Sequence, residues 1–165
     1  MNTNQMLSIA VLYYRKHGFQ NRFKYLPAVR LKNVYVTLDL QLARLANQWG
    51  WFLNHSPKIS DQTRQQLMNS YLDGMGLYFL IANLKNWNQT VLVSKSEVNK
   101  LTHLKVTKVI SQLYLIIKKM LYNSYFNRNL NDFTYSWKLY LKLGLVDLHF
   151  SWPEIEKGFR QTFES

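Results

Sequence analysis

Hydrophobic residues recur at helical spacing along most of the chain, and two stretches set the pattern. Over residues 37–54, Leu38, Leu42, Leu45, Trp49 and Phe52 fall on one apolar stripe, with Gln41, Arg44 and Gln48 on a second stripe beside it. Over residues 61–84, Leu67, Tyr71, Gly74, Tyr78 and Ile81 repeat that stripe. Ser70 and Asp73 stand on its flank at the same offset as Gln41 and Arg44. The connection, residues 55–60, is short enough to force the two predicted helices antiparallel. Each helix then presents two polar side chains, three residues apart, beside its buried seam, and a site is expected between them.

The rest of the chain continues the helical theme. Gln5, Met6, Ile9, Ala10, Leu12 and Tyr13 predict a helix over 4–16, ended by His17 and Gly18. Residues 19–33 are expected to be irregular, broken by Pro27, and 85–90 to form a loop. Ser94 or Ser96 caps the next helix, with Glu97 in its first turn. A single helix is predicted over 97–123, with Val106, Val109, Ile110, Leu113, Ile116, Ile117 and Met120 facing the core. Lys105, Lys108, Gln112 and Lys119 share another side of it. After a polar loop, a fifth helix is predicted over 132–146 through Phe133, Trp137, Tyr140 and Leu141, ended by Gly144 or the segment around His149. Ser151, Pro153, Glu154 and Glu156 start a last helix with a cap, an early proline and acids in the first turn. Five or six helices with short links predict an all-α helical bundle. It forms one domain over 1–165, with a basic N-terminal helix and irregular arm over 1–33 and a helical core over 34–165.

Composition narrows the chemistry. A chain of 165 residues with 47% hydrophobic and 15% aromatic side chains suits one domain with a sizeable core. The absence of cysteine excludes a disulfide framework and thiolate chemistry. No apolar run approaches the length of a membrane span and no signal-peptide pattern opens the chain, so a soluble, cytoplasmic protein without a membrane partner is expected. The net charge of +12 favours an acidic partner: a nucleic acid, a nucleotide or an acidic protein. Residues 1–32 carry six Lys or Arg and no acid, interleaved with Phe19, Phe23 and Tyr25. That composition suits a single-strand nucleic-acid surface, or rings packed inward with the charges left in water. Lys105, Lys108 and Lys119 are the candidate polyanion contacts; the alternative is a solvated lysine face. The four histidines are far apart, and no zinc, nucleophile-elbow, P-loop or dinucleotide motif is present. The residues alone point to a basic all-α domain and to no enzyme.

Three short segments carry a resemblance. Leu45-Ala-Asn-Gln-Trp49, followed by Phe52 and Ser56, resembles the first conserved segment of the dimeric all-α dUTPases, relatives of the MazG-type nucleotide pyrophosphohydrolases. That segment typically reads Glu-Leu-Gly-Glu-Leu-Ala-Asn-Glu-Trp. Tyr71-Leu-Asp-Gly-Met75 resembles their second segment. Phe150-Ser-Trp-Pro-Glu-Ile-Glu156, after Leu143 and Gly144, resembles their C-terminal helix. In order, the three cover about residues 34–160. The resemblance implies an all-α NTP pyrophosphohydrolase-like fold, a homodimer, and a magnesium site built from Glu-x-x-Glu on one helix and Glu-x-x-Asp on the next.

Those carboxylates fall on Gln41, Arg44, Ser70 and Asp73, and only Asp73 is an acid. The acid that ends the first segment is Gln48, the basic and aromatic residues after it fall on Leu53 and His55, and the second segment's histidine falls on Gly76. The family's C-terminal tail falls on Thr162 and Phe163, where little chain remains. Four carboxylates would carry a formal charge of about −4; one Asp and one Arg carry about zero. Two like charges ~4 Å apart repel by about 4 kcal/mol at an effective dielectric of ~20, so an arginine in the cage opposes Mg²⁺ directly. The expectation is a catalytically degenerate, homodimeric binding or regulatory protein, with no metal and no cofactor. Arg44 is expected to pair with Asp73 across the helices. Arg44, Gln48, Trp49 and Asp73 are the nucleotide-pocket candidates, with Trp51, Tyr71 and Tyr78 as aromatic lining. Two alternatives stand beside it: an active dUTP or dCTP pyrophosphohydrolase, for which Mg²⁺ would be required, and a basic helical nucleic-acid-binding domain.

Overall fold

Between Gly74 and Ala82 every side chain of one helix is buried, so this half of the helix is surrounded on all sides by the rest of the chain. It is α3 (Asp61–Leu84) in the computed structural model, which describes residues 2–17, 26–53 and 60–164. Packed on it are α1 (Thr3–His17), α2 (Pro27–Trp49) and α8 (Trp152–Phe163). A short α4 (Asn88–Val91) and α5 (Lys95–Thr102) lead to α6 (Ile110–Phe126), which pairs with α7 (Leu130–Lys142). A π-helical turn, Leu143–Asp147, joins α7 to the segment before α8. The fold is all-α: no strand occurs among the described residues, and none of their helices is long and apolar enough to cross a membrane.

Aromatic residues lock α7 onto α3. Tyr71 and Tyr140 stack with ring centroids 4.7 Å apart, and each hydroxyl donates to the other residue's backbone carbonyl, at 2.7 Å from Tyr140 and 3.4 Å from Tyr71. This embrace needs two glycines. A Cβ on Gly74 would lie 2.3 Å from the Tyr140 hydroxyl, and one on Gly144 would lie 2.2 Å from the Tyr71 ring. Tyr78 and Trp137 continue the cluster, and the Tyr78 hydroxyl shares a 2.7 Å hydrogen bond with Ser136 Oγ.

The structure revises several sequence-based boundaries. Pro27 does not interrupt an irregular arm; it starts α2, a position where its missing N–H costs nothing. A division at residue 33 therefore falls inside a helix. Nor is α1 an appendage, because Met6 and Ala10 are fully buried against α3 and α8. Residues 18–25, with Phe19, Phe23 and Tyr25, and residues 54–59, with His55 and Ser56, lie outside the described residues.

At the other end, α2 stops at Trp49. Gly50 takes the left-handed conformation (φ 69°) and its N–H bonds Ala46 O at 2.9 Å. Phe52 therefore leaves the predicted stripe and is exposed, while Leu38, Leu42 and Leu45 are buried and Trp49 packs against the core.

The single helix predicted over 97–123 is two helices. α5 ends at Thr102, and 103–109 is not helical. The Thr107 backbone N–H and hydroxyl both donate to Asp147, at 2.7 and 3.0 Å. Val106 and Val109 are exposed, not core, whereas Leu113 and Ile117 on α6 are buried. With this break and the four-residue α4, the bundle has eight α-helices among the described residues where five or six were expected. The fifth predicted helix ends at Lys142, and Gly144 lies inside the π-helical turn instead of terminating it. Of the two serines expected to cap α5 it is Ser94 that does so, and Ser151 caps α8 as expected; Ser94 with Glu97, and Ser151 with Glu154, each form a capping box.

Few contacts join α2 directly to α6, but a polar clasp does. Asp39 accepts hydrogen bonds from Lys118 at 2.8 Å and from the Tyr122 hydroxyl. Tyr35 and Ser124 share a further 2.9 Å hydrogen bond beneath it. Burial alone would raise the Asp39 carboxyl, but the bonds from Lys118 and Tyr122 outweigh it and hold the group below its usual range. A depressed folded value means stability that is complete above the ordinary carboxylate pKa of about 4 and is lost as pH falls through the folded value. Asp39→Asn should flatten that acid limb in urea titrations repeated between about pH 2 and 6.

Candidate functional site

The antiparallel seam of α2 and α3 brings the predicted polar residues together. Gln41 Nε2 donates to Asp73 Oδ2 at 3.3 Å, and Ser70 Oγ donates to Gln48 Oε1 at 2.7 Å. These are two rungs between the helices, built from side chains that flank each apolar stripe. Gln41 Oε1 is buried with no hydrogen-bond partner.

Arg44 is not part of this ladder. The expected Arg44–Asp73 ion pair does not form: Arg44 is exposed, and Gln41, almost one turn earlier on α2, reaches the carboxylate instead. The physical reason is desolvation, since a guanidinium drawn into the seam would lose water for a single partner. Arg44 acts on Asp73 only through its field.

Burial raises the Asp73 carboxyl above its usual range, and the Arg44 charge and the Gln41 hydrogen bond, which pull it down, do not overcome that. A raised folded value means the native state binds the proton more readily, so the ionised group costs stability as pH rises through the carboxylate range. Asp73→Asn keeps an acceptor for Gln41 and removes the charge. It should therefore be more stable than the parent at neutral pH, with the difference closing below about pH 4, as measured by thermal melts across that range.

The expected aromatic pocket is not assembled. Tyr71 and Tyr78 are fully buried core rings. Trp51, 5.2 Å from Trp49 between ring centroids, turns to α6, where its Nε1 donates to Ser111 Oγ at 3.1 Å. It lines a cavity of about 370 Å³ between α2 and α6 with Tyr114 and Leu115. Position 76 is closed as well: a Cβ there would meet the Phe163 ring at 2.5 Å and the Tyr14 hydroxyl at 3.2 Å.

The donor set does not fit Mg²⁺. This cation takes oxygen ligands in near-octahedral order and is usually held through carboxylates. Asp73 is the only carboxylate of the four aligned positions, Ser70 is committed to Gln48, and Arg44 adds positive charge nearby. Among the described residues, no three His, Cys, Asp or Glu side chains are grouped to hold a metal. Asp39 cannot join Asp73, because it faces Lys118 on α6.

The polyanion candidates are also dispersed. Lys105, Lys108 and Lys119 are all exposed, but the first two lie in the non-helical segment, so the three do not share one helical face. Sequence reasoning missed the Asp39–Lys118–Tyr122 clasp and the buried Thr107–Lys142–Asp147 cluster, whose partners lie 35 to 83 positions apart apart from the local Lys142–Asp147 contact. No known protein family, curated protein or solved structure matches the chain.

Proposed function

We propose that this protein is a catalytically degenerate relative of the all-α dUTPases, acting as a homodimeric binding or regulatory protein and not as a hydrolase. The observation that carries this reading is the α2–α3 seam. Gln41, Ser70 and Asp73 stand together where paired helices would present metal-binding carboxylates, yet they are tied up as neutral hydrogen-bonded rungs around one acid. An active pyrophosphohydrolase would need further carboxylates converging on Asp73.

The dimer reading draws support from a different face. Val36 and Leu40 on α2, Leu115, Tyr122 and Phe126 on α6, and Phe52 are exposed, Phe126 to 77%. Phe52 and Leu115 line a cleft of about 370 Å³ between α2 and α6, and Val36, Tyr122 and Phe126 line another of about 350 Å³. A contiguous run of exposed apolar side chains of this kind is what a partner surface offers. A second copy of the chain is the occupant we assign to this face. Leu40→Asp and Leu115→Asp should each turn a dimer into a monomer in sedimentation equilibrium at micromolar concentration, without changing the helical circular dichroism. A parent that sediments as a monomer would remove this part of the proposal.

The catalytic part is tested by calorimetry with a non-hydrolysable dUTP analogue, with Mg²⁺ and with a chelator. The expected result is no magnesium-dependent binding by the parent. The variant Gln41→Glu/Arg44→Glu/Ser70→Glu, if folded by circular dichroism, should gain Mg²⁺ affinity. Parent protein that binds the analogue only with Mg²⁺ would overturn the reading.

A further inference from the structure

A cleft separate from the α2–α3 seam lies between the last turns of α1, the first turns of α2 and the C-terminal end of α3. Its volume is about 50 Å³. Val34 and Leu80, both buried, line it on the apolar side, and Asn83 contributes an amide. Two arginines from different helices, Arg15 and Arg30, line the same small space. No carboxylate lines it, and neither arginine has an ion-pair partner among the described residues. Arg15 is exposed and Arg30 half-buried, and neither has the acid partner that Lys118 has in Asp39 or Lys142 in Asp147.

Local helix electrostatics explain only one of the two. Arg15 is in the last turn of α1, where a cation complements the helix dipole. Arg30 stands at the opposite kind of end. It is the fourth residue of α2, whose N-terminus has no acid in its first turn and no side-chain cap. A cation there opposes the dipole and adds to the repulsion from Arg15. Its position has no intrahelical advantage.

We propose that Arg15 and Arg30 form an anion site for a phosphoryl group, held by the two guanidinium forks with the Asn83 amide as a further donor. Guanidinium presents paired N–H donors that match the oxygens of a phosphate, and two forks from separate helices fix its orientation. The volume exceeds by several-fold the ~10–15 Å³ that one water needs, which leaves room for a compact tetrahedral oxyanion. The group is therefore either inorganic phosphate or the phosphate of an ester whose organic part lies outside the cleft. Arg30 precedes Gln41 by eleven residues, about 16 Å along α2, so this site does not depend on the reading of the α2–α3 seam.

The test uses the full chain, with inorganic phosphate and phenyl phosphate as probes, titrated at constant ionic strength and followed by the arginine Nε–H signals in NMR. Both arginine side chains should shift with one saturating curve, and Arg15→Gln and Arg30→Gln should each weaken binding at least tenfold. The glutamine variants keep much of each stem's packing, and a circular dichroism melt checks that they remain folded. Tighter binding of phenyl phosphate than of phosphate identifies an ester as the ligand; the reverse order identifies the free ion. Absence of saturable shifts with either probe, or affinity unchanged in both variants, would overturn the proposal.

Discussion

Replacing Asp147 by alanine is expected to destabilise the protein by about 3–5 kcal/mol, the range found when one partner of a buried ion pair is removed. Its side chain is fully buried. It accepts from the Thr107 backbone N–H at 2.7 Å, from the Thr107 hydroxyl at 3.0 Å and from Lys142 Nζ at 3.1 Å, while Lys142 also bonds the Thr107 hydroxyl. The truncation leaves a largely buried ammonium and a backbone donor without an acceptor. Urea denaturation measures the loss. Lys142→Met should also be costly, and the double variant should lose less than the sum of the two, because each single change strands the other charge. Amide exchange over 105–109 should accelerate in Asp147→Ala, since Asp147 fixes that segment. A loss below 1 kcal/mol would show that the cluster does not anchor it.

The second large effect is steric. Gly144→Ala should cost about 3 kcal/mol or more, at or beyond the upper end of ordinary overpacking. The new Cβ would lie 2.2, 2.4 and 2.6 Å from three atoms of the Tyr71 side chain. That ring has nowhere to go: it is fully buried, stacked on Tyr140 and 5.6 Å from Phe150 between centroids. Relief requires either the π-helical turn or α3 to shift, and both are packed on their remaining sides. Tyr71→Leu, damaging in the parent, should cost clearly less in the Gly144→Ala background. Equal costs in the two backgrounds, measured by thermal melts, would place the strain elsewhere.

Much of the fold is legible along the chain. The apolar stripe of α3, the start of α8 at Ser151 and Pro153, and the capping box of Ser94 and Glu97 are local patterns, and the structure contains each of them. The antiparallel meeting of Gln41, Gln48, Ser70 and Asp73 is equally local in origin, because helical spacing and a short connection determine it. Other features have no local signature. Val106, Val109, Leu113 and Ile117 keep helical periodicity, so nothing near them marks the break at 103–109. Its stabilising acceptor is Asp147, forty residues further on.

Pro27 could end one helix or begin another, and its own neighbourhood does not distinguish the two. Val34, Tyr35 and Leu38, buried in the bundle, hold the residues after it in α2. Gln41 and Arg44 stand less than a turn apart beside the same seam, so the sequence offers both to Asp73. The rotation of α2 on α3, and the cost of drying a guanidinium, select the amide. The sequence by itself determined that the chain is helical, the caps at Ser94 and Ser151 and the apolar faces of α2 and α3, because these depend on residues within one or two turns of each other. Tertiary structure alone decided that Gln41 and not Arg44 reaches Asp73, where the long helix breaks, and that Arg15 and Arg30 line one cleft. Those outcomes depend on the relative rotation and spacing of helices, set by packing across the whole core.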